Sequence, residues 1–345
     1  MTLRWCEPYR DQGGWMGSNY DTGLCNRIFH WELADIINKK NDYSYTIQVE
    51  GMYWPECKLI TLPNTEPILS KKDLYGNYTF TKGATAIPKS EIHRMFKEDS
   101  FKLGSRGHYY SDFGWTVLKH LQLHENIEVN PRPLTKIKLI HKPIEDIIRE
   151  SVKGVVGIHM RRHNGVYKTQ EDRKSLPVEV RAKLPATIQN KDSIYYMEYS
   201  DYTFHRDELY FNVIDNMLRL NPDQKFYLSC DLPYELVSYY YTKYSRNMIN
   251  KDEIIDKVYA FLESLGYTKK DFAFGNTVEN LVDLFSLSFC DFLIKSPPST
   301  WSEFAELYQP KPAVEVTDDW NICINEKYSL YLNKKGKDEE LSYLD

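Results

Sequence analysis

The sequence predicts an α/β fold with a doubly wound parallel sheet in its second half, on three observations. From about residue 143 short apolar runs alternate with amphipathic helical stretches, the order that parallel strand–helix–strand units require. The stretch from Gly154 to Gly165, GVVGIHMRRHNG, opens with Val155, Val156, Ile158 and Met160. That run lacks polar alternation, as a strand buried on both faces does. Three strand candidates also end in polar groups: His159 with Arg161 and Arg162, then Asp231, then Ser299 with Thr300. A parallel sheet brings its carboxyl ends to one side, where ligands of such folds lie.

In chain order, Thr2 to Pro8 suits a first strand. A polar, glycine-containing segment follows, and a helix is predicted from Arg27 to Lys39, with Ile28, Trp31, Ile36 and Ile37 apolar and Asn26 as its cap. The turn Gly23-Leu24-Cys25-Asn26-Arg27 would offer backbone N–H groups to an anion or a sugar hydroxyl, although most such turns are only turns. Tyr43, Tyr45, Ile47 and Val49 alternate as a strand does, and Lys58 to Leu62 suits another. From Pro63 to Gly114 no period stands out. This stretch reads as a long, aromatic-rich irregular segment and is assigned to acceptor binding. Helices are expected over Thr116 to His124 and Pro143 to Val152, the second leading into the central strand. The expected division is 1–140, 141–330 and a charged tail, 331–345.

A polar loop, Asn164 to Thr203, follows the central strand. The helix Asp207 to Leu220 then spaces Leu209, Phe211, Ile214 and Leu218 along one face. Lys225 to Cys230 is a strand, and Pro233 starts a helix reaching Tyr244. Glu279 to Cys290 is helical, Asp291 to Lys295 a buried strand, Trp301 to Tyr308 a helix and Ala313 to Val316 a last strand.

Composition narrows the function classes. The 345 residues leave room for two domains, and 42% apolar with 27% charged residues is the balance of a soluble globular chain. A net charge of −5 with no basic tract argues against nucleic acid as partner. No apolar run approaches the ~20 residues that span a bilayer, and the amino-terminal stretch lacks a signal-peptide core. Six cysteines without a C-x-x-C pair suit reduced, buried thiols and a cytoplasmic location. The 27 Tyr, 7 Trp and 15 Phe supply flat faces that stack on sugars and nucleobases, and fill cores equally well.

At the strand ends, Arg161 and Arg162 offer planar, permanently charged forks suited to a phosphate; the same pair also fits a solvated basic turn. Ser299 and Thr300 stand where a helix begins and suit either capping or an oxyanion. Asp231 suits a nucleotide crevice or the cap of the helix near Pro233. Asp283 lies within an apolar helix, either on its polar face or aimed at paired N–H donors such as a guanine edge.

Four segments, TGLCNRIFHW, GVVGIHMRRHNG, KFYLSCDLPYEL and VDLFSLSFCDFLIKSPPSTWS, resemble in order and spacing the GT-B fucosyltransferases that carry an H-x-R-R motif. These include the bacterial nodulation enzymes, the animal core α1,6-fucosyltransferases and, more distantly, the protein O-fucosyltransferases. The resemblance implies a GT-B-like pair of Rossmann-like domains facing a cleft. It also implies inverting, metal-independent transfer of fucose from GDP-fucose to a glycan acceptor hydroxyl, with no cofactor beyond the donor. Carried onto this chain, Arg161 and Arg162 would hold the pyrophosphate, with Arg162 the more critical, and His159 would lie near the nucleoside. Asp283, eight residues before Asp291, would pair with guanine; Ser299 and Thr300 would contact phosphate, and Asn26 and Arg27 would line the donor–acceptor cleft. Two departures stand out: Cys25 replaces a glycine-like residue, and Thr169 stands where the core enzymes place an acidic residue. Glu171 and Asp172 are therefore the candidate bases. No Asp-x-Asp triplet occurs, which argues against the metal-dependent GT-A transferases. The competing readings are transfer of another GDP-deoxyhexose or a UDP-pentose, and a non-catalytic carbohydrate-binding relative. A P-loop kinase or sulfotransferase lacks its GxxxxGK[ST] loop.

Overall fold

The structure is a computed structural model of the chain. It describes residues 2–5, 24–42, 46–49, 58–62, 65–67, 84–86, 89–101, 108–110, 137–160, 207–230, 234–272, 277–295, 299–309, 311–315, 327–328 and 331–332. Two compact units result: Met1–His141 with Lys270–Thr277, and Lys142–Lys269 with Val278–Asp345.

In the first unit the strands are β1 (Thr2–Trp5), β2 (Thr46–Val49), β3 (Ile60–Thr61), β4 (Thr65–Pro67), β5 (Ala84–Ala86), β6 (His108–Tyr110) and β7 (Lys138–Leu139). Five of them form a sheet in the order β4-β2-β1-β6-β5, and every pairing in it is parallel. Parallel neighbours need long crossovers, usually helical. Helices α1 (Leu24–Lys40) and α2 (Lys89–Lys97) lie between β1 and β2 and between β5 and β6 in sequence. The small pair β3–β7 is antiparallel.

Two expectations are corrected here. Helix α1 starts at Leu24, so Asn26 is inside its first turn and does not cap it. The reason is burial: Leu24 and Cys25 are both sealed in the core and extend the apolar face backwards. The segment from Pro63 to Gly114 is not irregular throughout, since it contains β4, β5, α2 and β6. The helix expected over 116–124 lies outside the described residues. Residues 270–277, sequence-remote from the rest of this unit, are tied into it through Lys58. Its ammonium donates to the Asp271 carbonyl at 3.3 Å and lies 5.6 Å from the centre of the buried Phe272 ring.

The second unit runs α3 (Lys142–Ser151), β8 (Val155–Met160), α4 (Asp207–Leu220), β9 (Lys225–Cys230), α5 (Tyr234–Lys243), α6 (Lys251–Ser264), α7 (Thr277–Phe289), β10 (Phe292–Lys295), α8 (Thr300–Tyr308) and β11 (Ala313–Glu315). Its sheet order is β11-β10-β8-β9, all parallel. Met248 bridges Phe226 on the far side of β9, just before α6 begins. Helix α6 is absent from the sequence reading, although its cap is plain. Asn250 accepts a hydrogen bond from the Asp252 N–H, ahead of an acidic first turn.

Strand pairing divides the sheet's side chains between two faces. Val156, Ile158, Met160, Phe226, Leu228, Phe292 and Ile294 share one, packed against Tyr210, Phe211, Ile214 and Met217 of α4. Burying each large apolar side chain contributes about 1.5–3 kcal/mol. Tyr331 and Leu332, which the sequence reading placed in the tail, pack on this core, and Tyr331 donates to Asp291. On the other face, Gly157 lets α7 come close. A Cβ there would stand 3.0 Å from Leu287 and 3.2 Å from Cys290.

Candidate active site

Within the second unit the strand order reverses between β8 and β10. β8 leads on to β9 on one side, whereas β10 and β11 lie on the other. Such a reversal opens a crevice at the strands' carboxyl ends, and nucleotides bind there in doubly wound folds. His159 stands near the end of β8, in register with Ser229 of β9 and so on the Gly157–Tyr227 face.

His159 is buried, and its Nδ1 shares a 2.5 Å hydrogen bond with Oγ of Ser302, which is in the first turn of α8. At the end of β10, Lys295 is buried and paired with Glu306 at 2.5 Å and Glu303 at 3.5 Å. These two ties connect the start of α8 to the ends of β8 and β10. Ser299 is the N-cap residue of α8 in extended conformation, yet its side chain makes no capping hydrogen bond. The hydroxyl is thus not committed to the cap, and the first N–H groups of the helix have no intrahelical acceptors. Thr300, half-buried, opens the helix.

Asp283 stands midway along α7 with 14% of its side chain exposed. It is therefore not on an open polar face. The Tyr227 hydroxyl donates to its Oδ1 at 2.5 Å, and Nζ of Lys251 lies 3.5 Å from Oδ2. Burial pushes the Asp283 carboxyl up from its usual range, while Lys251 and Tyr227 pull it back down in part. Burial raises Tyr227 well above an ordinary phenol, and the Asp283 charge raises it further. Lys251 feels burial against its charge, but Asp283, Cys230 and Asp252 outweigh it and the net shift is upward.

Of the residues singled out from sequence, His159, Ser299 and Thr300 therefore come together at the β8 and β10 ends, and Asp283 sits beside β9. Arg161 and Arg162 follow β8 directly but lie outside the described residues, as do Glu171, Asp172 and Asp231. Asn26 and Arg27 are in the first turn of α1 in the first unit, and their side chains lie outside the described set. Ser302, Lys295, Tyr227 and Lys251 were missed. Ser302 carried a signal, being one turn after Ser299 in the predicted helix.

No family model matches this chain, and no curated protein does. Among solved structures, it is similar to a fucosyltransferase NodZ from Bradyrhizobium, at 12% identity and a TM-score of 0.44, covering 87% of this chain and 93% of that one. A NodZ α1,6-fucosyltransferase structure soaked with GDP-fucose has 12% identity and a TM-score of 0.45 over the same shares. These are likenesses of outline. Among the described residues no three or more His, Cys, Asp or Glu side chains are grouped to hold a metal ion. No described helix is long and apolar enough to cross a membrane.

Proposed function

We propose that this chain is a metal-independent, inverting glycosyltransferase that moves fucose from GDP-fucose to a hydroxyl of a glycan acceptor. The observation that carries this reading is the reversal of strand order between β8 and β10, with His159, Ser299 and Thr300 placed at that point. Phosphate suits the start of α8, where peptide dipoles and the Ser299 hydroxyl face a negative group. Asp283 suits guanine, whose Watson–Crick edge offers two parallel N–H donors. Uracil offers one, flanked by carbonyls that a carboxylate repels.

In this reading the acceptor oxygen attacks the anomeric carbon of fucose as its bond to the β-phosphate oxygen breaks. The bonding pair leaves with GDP, and a carboxylate, Glu171 or Asp172, takes the acceptor proton. Arg161 and Arg162, next in sequence after the last residue of β8, hold the charge that accumulates on the diphosphate. Each charge-assisted hydrogen bond contributes about 1.5–3 kcal/mol. Arg162→Ala is therefore expected to lower transfer by roughly 10- to 100-fold or more while the circular dichroism spectrum and melting temperature stay at wild-type values. Full activity in a folded Arg162→Ala protein would remove the assignment.

A further inference from the structure

The cluster around Asp283 contains more than a carboxylate needs for structure alone. Four titratable groups face it from four elements: Tyr227 on β9, Tyr241 on α5, Lys251 on α6 and Glu279 one turn earlier on α7, while Cys230 and Asp252 act on Lys251 and Tyr241. Tyr227 and Lys251 touch it, one on each oxygen. A carboxylate has about four lone-pair sites. With one taken on Oδ1 and one on Oδ2, one remains on each oxygen, which is the acceptor pattern two parallel N–H donors require. The Asp283 side chain is 14% exposed, so it is not sealed in the core.

We propose that Lys251 and Tyr227 are positioning residues that keep Asp283 ionised and oriented, so that its two remaining acceptor sites select a guanine edge. This rests on the GDP-sugar reading and deepens it. The physical reason is a conflict of terms: burial favours the neutral acid, and a protonated Asp283 would present a donor to guanine's own donors. Lys251 is the cation that opposes burial, and the Tyr227 hydrogen bond acts in the same direction. Glu279 opposes them, since its charge favours protonation of Asp283.

The sign of the pH effect follows. Guanine binding is gained as pH rises through the Asp283 pKa. Removing the Lys251 charge raises that pKa and moves the gain to higher pH.

The test is calorimetric titration of the full chain with GDP and with UDP from about pH 5 to pH 8, on wild type, Lys251→Met, Lys251→Arg and Tyr227→Phe. Lys251→Met is expected to weaken GDP binding about tenfold at neutral pH, to shift its midpoint upward by about one unit and to narrow the GDP-over-UDP preference. Lys251→Arg restores both. Tyr227→Phe, which removes one oxygen and leaves the packing, moves the midpoint the same way by less, and it decides the matter if Lys251→Met does not fold. Wild-type midpoints and wild-type GDP-over-UDP ratios in Lys251→Met or Tyr227→Phe overturn this inference alone. Absence of GDP binding by wild type at every pH overturns the donor reading, and the base-selecting role with it.

Discussion

At the scale of single residues, buried charge is the recurring theme. Lys311 donates to the carbonyls of Leu287 and Ser288, the last turn of α7, where a cation suits the helix dipole. Burial nonetheless lowers its pKa to about 8 from an ordinary 10.5. The unfolded chain therefore holds more protons than the folded one between those values, and this group's contribution to stability rises with pH across that window. Cys290, pushed up to about 12 by burial, works in the opposite direction above its usual 9. The clean interval is thus about pH 7.5 to 9. Urea melts across that interval are expected to show wild type gaining about 1 kcal/mol relative to Lys311→Met, a difference that parallel curves would refute. Asp283 illustrates what a sequence conceals at this scale. Its position among apolar helix residues was legible, but Lys251, thirty-two positions away, was invisible as its partner until the fold joined them.

At the scale of elements, the start of α8 is held by contacts from two strands. Lys295 is buried and shared by the buried Glu303 and the half-buried Glu306, so Lys295→Met removes the cation from a buried pair, a loss that costs about 3–5 kcal/mol. In that variant, hydrogen exchange in the first turns of α8 is expected to speed up relative to wild type while the centre of β8 is unchanged, and wild-type rates in α8 would contradict the anchoring role. Gly157 sets the approach of α7 to β8. Gly157→Ala pushes a methyl group against Leu287 and Cys290 and should cost about 1–3 kcal/mol in chemical denaturation, whereas a neutral result would mean that α7 can move aside cheaply. Elements with sustained periodicity were readable: α4 runs over Asp207–Leu220, as its apolar spacing implies. Short strands were readable only where an apolar or alternating run marked them, as at β1, β2, β10 and β11. The three-residue β4, β5 and β6 lack such a run and vanished into an aromatic-rich stretch.

At the scale of the whole molecule, two parallel-sheet units share one chain that crosses between them more than once. Phe272 belongs to the first unit although most of its sequence neighbours belong to the second. Residues 142–345 expressed alone would therefore carry an uncovered Phe272, and are expected to bind a hydrophobic dye that the full chain does not. Equal dye binding would refute this. The alternation of strands and helices announced the α/β class, because parallel pairing demands crossovers. The return of 270–277 was illegible, since Lys58 and Asp271 are distant in sequence and neither belongs to a periodic run. What unites the scales is the set of strand ends in the second unit, where His159 and Ser299 stand at the reversal of strand order, with Asp283 beside β9. The most direct test is a thermal-shift comparison of GDP and UDP on the full chain at ligand concentrations near 100 times the GDP dissociation constant. GDP should raise the melting temperature by about 5 °C and UDP by much less. Equal shifts, or a shift with UDP alone, would contradict the assignment of these strand ends to a guanosine diphosphate.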